Sequence, residues 1–189
     1  MVDPLITKKY NYPFADRVSS PLYEITKQYY NGDPIKGEAK RTDADLHHKN
    51  IKEVNNLTRW VKQLIPDFSS ITVGGKGSYL KKIVLERFYH PRMGGIGGFD
   101  PYNFVIDSCW GVIYNKGDSV IKHNHFPYSI SFCYYVRTPS HSSPLIMEGR
   151  KMRMREGELL LFLSHYNHWV PKSKVDGRCV IVGNIKYIS

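Results

Sequence analysis

The sequence predicts a mainly β fold, an antiparallel sandwich or barrel supported by helices that precede it. From residue 105 onward, short apolar or alternating runs follow one another with turns between them. Two earlier segments carry apolar residues at helical spacing instead. The chain has 189 residues, enough to bury one sizeable core. We therefore expect one domain over residues 1–189, with a helical and irregular support over 1–104 and the β core over 105–189.

The first predicted helix begins at Ser20 and reaches Gly32. Serine favours the N-cap position, and Pro21 suits the first helical position, where a missing backbone N–H costs nothing. Its predicted apolar face comprises Leu22, Ile25 and Tyr29.

The second predicted helix spans about Ile51 to Ile65 and ends at Pro66, because proline cannot donate the next helical hydrogen bond. Its predicted apolar face comprises Val54, Leu57, Val61 and Leu64. Such a helix should lie against the sheet.

The predicted β core contains seven or eight short strands. The runs that indicate them are FVIDSCWGVIY, YSISFCYYV, PLIM, KMRMR, ELLLFL, HWV and RCVIVGNI. In front of them, His90 to Phe104 holds four glycines and two prolines and is predicted to be a loop. No Lys-Ser or Lys-Thr pair follows these glycines, so a lid over a site is favoured over a phosphate-binding loop.

Composition and charge restrict the class of protein. The longest apolar runs are too short for a membrane span and no signal peptide is apparent, so we expect a cytoplasmic protein, in the host cytoplasm if it is viral. Three widely spaced cysteines within apolar runs indicate reduced core residues. The net charge of +10 favours anionic partners, but an ordinary basic surface is favoured over nucleic-acid binding. One basic cluster alternates with methionines, as on a strand with one wet face: Arg150, Lys151, Arg153 and Arg155.

The pair His123 and His125 is the sharpest chemical feature. Residues i and i+2 of an extended chain point to the same face, so both imidazoles can reach one ion. His168 is the best third ligand, because it follows the apolar run from Glu158 to Leu163 in a setting that is partly dry. Three imidazoles would leave open positions on the ion, as a catalytic metal site requires. Other histidines are weaker candidates: His141, His165, His47 and His48.

Arg178 opens the last apolar run. A buried guanidinium needs a carboxylate, and its planar fork suits a bidentate one. No acidic residue nearby in sequence is an obvious partner, which favours a ligand carboxylate. The alternative is that Arg178 lies at the wet end of its strand beside Asp176.

A series of motifs over about residues 106–185 resembles the iron(II) and 2-oxoglutarate-dependent oxygenases, particularly the prolyl-hydroxylase-like group common in phage and bacteria. The matching residues, in order, are Trp110, Gly117-Asp118, His123-Asn124-His125, Tyr134-Tyr135, Gly157-Glu158, Ser164, His168, Arg178 and Asn184. The resemblance implies a double-stranded β-helix, also called a jelly-roll or cupin-like core. It also implies a dioxygenase that uses Fe(II), 2-oxoglutarate and O₂ to hydroxylate a prolyl, peptidyl or protein substrate.

The resemblance also assigns roles to residues. His123 and His168 look like metal ligands, and Arg178 looks like the partner of the distal carboxylate of 2-oxoglutarate. Tyr135 and Tyr114 resemble residues that bind the cosubstrate. Three further residues are interpreted as lying on the substrate side: Trp110, Arg150 and Arg153.

His125 departs from the pattern, because most of these oxygenases have aspartate there. It could be a third ligand or stand beside the ligands, and a neutral imidazole also admits zinc, nickel or cobalt.

Nucleic-acid demethylases of the same superfamily usually have a second arginine six residues after the first. This chain has Asn184 six residues after Arg178, which argues against a nucleic-acid demethylase.

Two alternatives remain. The spacing of Gly117 to His123 and of Gly157 to His168 also fits a cupin, although the usual glutamate is absent between Tyr128 and Tyr134. This alternative is a three-histidine metalloenzyme that does not use 2-oxoglutarate. The other is a binding module that keeps the fold without catalysis.

Overall fold

Eight antiparallel strands between residues 104 and 187 form two sheets, and further elements precede them. The computed structural model describes residues 5–34, 39–71, 80 and 100–188. The helices are α1 (Ala15–Gln28) and α2 (Lys52–Ser69), with a 3₁₀ helix at Leu46–His48. The strands are β1 (Thr7–Asn11), β2 (Tyr30–Pro34), β3 (Lys40–Thr42), β4 (Phe104–Tyr114), β5 (Val120–His123), β6 (Ile130–Arg137), β7 (Leu145–Met147), β8 (Arg150–Met152), β9 (Glu158–Leu163), β10 (His168–Val170) and β11 (Arg178–Tyr187).

The large sheet has the strand order β1-β9-β6-β11-β4-β3-β2, and the small sheet has the order β5-β10-β7-β8. Strands β4 to β11 thus supply four strands to each sheet. This is the arrangement of a double-stranded β-helix, so the predicted mainly β fold is confirmed. The predicted number of core strands, seven or eight, is also confirmed.

The central strands of the large sheet are buried on both faces, which explains their nearly continuous apolar sequences. On β4, Cys109 and Ile113 belong to the core shared with the helices, whereas Val112 and Tyr114 belong to the core between the two sheets. The three cysteines are free and buried, as the sequence predicted.

Helix α1 begins at Ala15, so the predicted start at Ser20 is wrong and Pro21 lies inside the helix. The reason is that burial continues through the proline: Val18, Leu22 and Thr26 recur every four residues on the buried face. Pro21 itself is exposed, where its missing backbone hydrogen bond is tolerated most easily.

Helix α2 similarly continues past Pro66 to Ser69, so the predicted end is wrong. Its buried face extends through Ile65 to Phe68, which is 1% exposed. The carbonyl of Pro66 accepts hydrogen bonds from the hydroxyl of Ser69 (2.7 Å) and the backbone N–H of Ser70 (3.2 Å). Packing of the last turn therefore outweighs the local preference of proline.

Three strands in the N-terminal part were not predicted from the sequence. Strand β1 pairs with β9 at one edge of the large sheet, and β3 pairs with β4 towards the other. These strands are short and mostly polar, so neither periodicity nor composition distinguishes them from loops. The N-terminal support thus widens the sheet as well as covering it.

The predicted loop at His90 to Phe104 lies largely outside the described residues. The basic cluster follows the predicted alternation, with Arg153 exposed between the half-buried Met152 and Met154. Among the helices of the described residues, none is long and apolar enough to cross a membrane.

Candidate metal centre and ligand cavity

Three histidines converge at one end of the small sheet. His123 ends β5 and His168 begins β10, and these two residues are direct partners in the antiparallel pairing of the strands. His125 follows two residues after β5. The nitrogen atoms that the three imidazoles offer as ligands lie within 4.8 Å of one another.

Backbone hydrogen bonds orient two of the rings. Nδ1 of His123 lies 2.8 Å from the carbonyl oxygen of Ile121, and Nδ1 of His168 lies 2.9 Å from that of Tyr166. A carbonyl can only accept, so Nδ1 carries the proton in this arrangement and Nε2 keeps its lone pair. The two imidazoles are therefore set up as ligands through Nε2.

His125 is held by its backbone, which donates a hydrogen bond to the carbonyl oxygen of Ser164 (2.8 Å). The Ser164 hydroxyl lies 2.8 Å from that of Ser131, and Ser131 in turn donates to the amide oxygen of Asn184 (2.9 Å). These three polar residues are buried, so their mutual hydrogen bonds avoid the cost of burying unpaired groups. The network links the His125 segment to β6, β9 and β11.

A cavity of about 50 Å³ lies between the two sheets and is bordered by all three histidines. Its other walls are largely apolar, with Trp110, Val112, Phe162 and Val180 among them. The Trp110 and His125 rings have centroids 5.9 Å apart. We call this space the inner cavity; a ligand in it would lie close to the histidine cluster.

Arg178 also borders the inner cavity, although it lies on β11 in the opposite sheet. It is 1% exposed, so the alternative that it stands at a wet strand end beside Asp176 is wrong. Its Nη1 atom is buried and has no hydrogen-bond partner within the described part of the chain. No carboxylate in that part forms an ion pair with it either. A buried guanidinium in this state is suited to an anionic ligand.

Two tyrosines flank this arginine. The guanidinium carbon of Arg178 lies 4.4 Å from the ring centroid of Tyr114 and 5.4 Å from that of Tyr135. Burial raises the pKa of both tyrosine hydroxyls, so they stay protonated and can donate hydrogen bonds. Tyr114 lines the inner cavity, whereas Tyr135 lines a second cavity on another side of Arg178.

The structure separates the three residues that were interpreted as substrate-side. Trp110 lines the inner cavity beside His125. Arg150 pairs with Met147, which pairs with His168, so Arg150 lies level with the histidine cluster at the edge of the small sheet. Arg153 lines the second cavity and not the inner one.

The other candidate histidines of the sequence do not join the cluster. In the described part of the chain, the group of metal-binding side chains that converges contains neither His141 nor His165. His47 and His48 stack on each other, with ring centroids 3.8 Å apart, beside the start of β4. Sequence reasoning missed the carbonyls of Ile121 and Tyr166, because a backbone acceptor leaves no side-chain signal. It also missed the hydroxyl of Ser131, because a serine within an apolar strand does not reveal its distant partners Ser164 and Asn184.

The donor set fits a metal ion. Three imidazoles, two of them oriented to coordinate through Nε2, suit zinc, copper, iron and nickel, and they leave positions for further ligands. Arg178 borders the same cavity, and its buried Nη1 has no hydrogen-bond partner among the described residues, which fits a ligand that carries a carboxylate.

Similar folds occur among solved structures. The viral collagen prolyl hydroxylase of Paramecium Bursaria Chlorella virus-1, in complex with 2OG, has a TM-score of 0.67 at 8% identity, covering 97% of each chain. A Pseudomonas putida prolyl-4-hydroxylase has a TM-score of 0.65 at 15% identity, covering 98% of this chain and 94% of that one. A Trichoplax adhaerens prolyl hydroxylase, in complex with a hypoxia inducible factor peptide fragment, has a TM-score of 0.56 at 16% identity, covering 94% and 82%.

By sequence, no family model and no curated protein matches the chain. The similarity to the hydroxylases extends over nearly the whole chain at low identity, and therefore concerns the fold. The predicted resemblance to prolyl-hydroxylase-like oxygenases is thus confirmed at that level: the chain has the double-stranded β-helix fold of the 2OG-Fe(II) oxygenases, with a cluster of three histidines at one end of its small sheet.

Proposed function

We propose that the protein is an Fe(II)- and 2-oxoglutarate-dependent oxygenase that hydroxylates a prolyl or peptidyl substrate. The observation that carries the proposal is that the histidine cluster and the buried Arg178, whose Nη1 atom has no hydrogen-bond partner among the described residues, border the same cavity. A 2-oxo acid with a second carboxylate is the kind of ligand that matches both features. When bound, iron and 2-oxoglutarate would supply the activation of O₂.

The chain's own residues would bind and orient these groups. His123, His125 and His168 would hold the iron. The backbone carbonyls of Ile121 and Tyr166 already fix the rings of His123 and His168 in the orientation this requires. Arg178 would pair with the distal carboxylate of 2-oxoglutarate.

Tyr114 would donate a hydrogen bond to 2-oxoglutarate from the wall of the inner cavity. The Tyr135 hydroxyl would donate one to the same cosubstrate from the other side of Arg178. The apolar walls would exclude water, which strengthens the pairing between the guanidinium and the carboxylate.

Support for a peptide substrate comes from the solved structures. Three of the similar structures are prolyl hydroxylases, and one of these is in complex with a peptide fragment. Trp110 beside His125 offers an aromatic surface on which a proline ring could pack. Arg150, level with the histidines, could contact an extended or acidic chain there.

The test is turnover of 2-oxoglutarate with proline-containing peptides, Fe(II) and O₂. We expect succinate to form, and the peptide to gain the mass of one oxygen atom. Succinate without peptide oxidation would retain the oxygenase and reject the peptide substrate. No succinate from the iron-loaded protein would contradict the use of 2-oxoglutarate.

One observation favours a second function. The cluster holds three imidazoles and no carboxylate among the described residues, which also suits a cupin-type metalloenzyme that does not use 2-oxoglutarate. Iron binding without any effect of 2-oxoglutarate would favour this alternative. Absence of metal binding would favour a non-catalytic binding module.

A further inference from the structure

A second arginine, Arg41, faces the space between the two sheets. Arg41 on β3 pairs with Val112 on β4, and side chains of directly paired residues lie on the same face of a sheet. Val112 lines the inner cavity, so Arg41 lies on the cavity face of the large sheet. The backbone N–H of Ala39, just before β3, donates to the carbonyl of Ser119, just before β5 (3.1 Å). Strand β3 is thus connected to the edge strand of the small sheet that carries the first histidine of the cluster.

The guanidinium of Arg41 contacts Trp110. Its Cζ atom lies 5.7 Å from the centroid of the Trp110 ring. Trp110 in turn lies beside His125, with the ring centroids 5.9 Å apart. A substrate that packs on Trp110 beside the histidine cluster would therefore also be near the guanidinium of Arg41.

This arginine is distinct from the one proposed to bind the cosubstrate. Arg178 pairs with Tyr114 across β11 and β4. Trp110 stands four residues before Tyr114 on the same strand, roughly 13 Å away along an extended chain. Arg178 thus belongs to one end of the inner cavity, and the contact of Arg41 with Trp110 belongs to the end with His125.

Arg41 has a buried donor without a partner. Its Nε atom is buried and forms no hydrogen bond among the described residues. No carboxylate of these residues forms an ion pair with Arg41 either. The acidic residue nearest to it in sequence, Asp43, instead accepts a hydrogen bond from the amide of Asn31 (2.6 Å). Stacking on an aromatic ring engages the face of a guanidinium but leaves the N–H groups in its plane available for a planar oxyanion.

The other cations near the histidine cluster are also not neutralised. Lys122 directly precedes His123, and Arg150 lies level with the cluster at the edge of the small sheet; both are exposed. Within the described part of the chain, neither forms an ion pair. Glu148 lies on the same side, and its carboxylate accepts a hydrogen bond from the backbone N–H of Asn167. The charges at this end therefore favour a substrate that carries a negative group.

We propose that Arg41 is a specificity-determining residue, which pairs with a carboxylate that the substrate carries beside the prolyl residue packed on Trp110. Nε and one Nη of a guanidinium lie side by side and can donate to both oxygens of one carboxylate. The preferred substrate is then a peptide with an acidic group next to its proline. This inference rests on the proposed function, because it assigns part of the chemistry of the same substrate.

The test is calorimetric titration under anaerobic conditions with Fe(II) and 2-oxoglutarate present, so that binding is measured without turnover. The ligands are capped peptides with aspartate directly before or directly after proline, each compared with its asparagine counterpart. We expect at least one aspartyl peptide to bind about 10-fold more tightly than its counterpart, because a charge-assisted bidentate pair forms. A peptide that ends in proline with a free carboxylate, compared with its amide, tests the chain terminus as the source of the same group. Equal or unmeasurable affinities within every acidic and neutral pair would overturn the proposal.

Variants of Arg41 locate the pairing. Arg41→Gln should weaken the acidic ligand about 10-fold and change the affinity of the neutral one less than about twofold, which also shows that the variant is folded. Arg41→Lys keeps the charge but not the planar fork, and should retain only part of the preference. Arg59→Gln, which removes an exposed charge on α2, is the matched control and should leave the preference intact.

Two results with Arg41→Gln would overturn the proposal. Equal losses for acidic and neutral peptides would show that Arg41 only supports Trp110. A preference for the acidic peptide that persists in this variant would assign the carboxylate to another cation.

Turnover of 2-oxoglutarate with the same peptides separates this inference from the proposed function. Tighter binding of the acidic peptide without succinate formation would contradict the oxygenase and keep the role of Arg41. Succinate formation with equal affinities for acidic and neutral peptides would keep the oxygenase and reject that role.

Discussion

Backbone carbonyls hold Nδ1 of both His123 and His168, so Nε2 is the atom through which each ring would bind a metal. Replacing either residue with alanine should abolish stoichiometric Fe(II) binding under anaerobic conditions, as two imidazoles at most then remain. His165→Ala is the matched control, since it removes a nearby histidine outside the cluster. Iron binding retained in both cluster variants would contradict the metal site.

His125 can be tested by a change of charge. His125→Asp introduces the carboxylate that most of the resembling oxygenases have there, and should retain Fe(II) binding. His125→Ala should weaken it by more than the roughly 10–100-fold that loss of a supporting hydrogen bond costs. Equilibrium competition with a chelator measures both affinities. Unchanged affinity in His125→Ala would show that this residue stands beside the ligands.

Arg178 should matter for the 2-oxo acid far more than for the metal. We expect Arg178→Gln to weaken 2-oxoglutarate binding about 10–150-fold, the effect of losing hydrogen bonds to a charged group. Titration of the iron-loaded protein measures this affinity, with the exposed Arg137→Gln as the control for charge. Equal losses of iron and 2-oxoglutarate in Arg178→Gln would indicate misfolding instead.

The residues of the cluster could be predicted from sequence because their chemistry shows in their type and spacing. The setting of Arg178 could not, since an arginine before an apolar strand is compatible with either a wet end or a buried site. Pairing of Arg178 with Tyr114 across β11 and β4 decides this, and such pairing follows from the sheet and not from local sequence.

At the scale of elements, α1 lies so close to β4 that no side chain fits at Gly111, opposite Thr26. A Cβ atom at Gly111 would meet Thr26 Cγ2 at 2.5 Å and Thr26 Oγ1 at 2.7 Å. Thr26 is fully buried and donates a hydrogen bond to the carbonyl of Leu22 (2.8 Å), so it cannot move aside easily. This close contact sets the position of α1 on the outer face of the large sheet.

Gly111→Ala should therefore lower the free energy of unfolding by about 1–3 kcal/mol, as expected for overpacking. Urea denaturation measures the change. The double variant Gly111→Ala with Thr26→Ala removes the two nearest atoms and should be more stable than the sum of the single variants predicts. Additive losses would mean that the contact with Thr26 is not the cause.

Helices and core strands were predictable in type, because their apolar periodicity is long enough to be distinctive. Their ends at Pro21 and Pro66 were not, since buried residues on either side of each proline outweigh its local preference. Strands β1, β2 and β3 have little pattern of their own and exist because the edges of the large sheet offer them partners. The division at residue 104 stays a prediction.

At the scale of the whole molecule, the carboxyl groups of three aspartates link stability to pH. Asp107 is the most informative, since hydrogen bonding with Lys186 and then with the Tyr128 hydroxyl (2.8 Å) lowers its pKa. Hydrogen bonding with Lys49 lowers the pKa of Asp45, and with Lys8 that of Asp67. A group whose pKa is lowered by folding stabilises the protein above its ordinary pKa, near 4. This contribution is lost as the pH falls through the lowered value.

Asp107→Asn should therefore destabilise the protein at pH 7, and its difference from the wild type should shrink as the pH falls below about 4. Chemical denaturation at several pH values measures the difference. The control is Asp100→Asn, which removes the same charge outside these ion pairs. A difference for Asp107→Asn that does not vary with pH would contradict the role of this carboxylate.

The most direct test of the proposed function is anaerobic titration of the iron-loaded protein with 2-oxoglutarate, followed by visible absorption. Chelation of iron by the 2-oxo acid beside the three histidines should produce a weak charge-transfer band that saturates with one equivalent. The band should weaken in Arg178→Gln and be absent in His168→Ala. An iron-loaded protein whose spectrum does not change with 2-oxoglutarate would contradict the account.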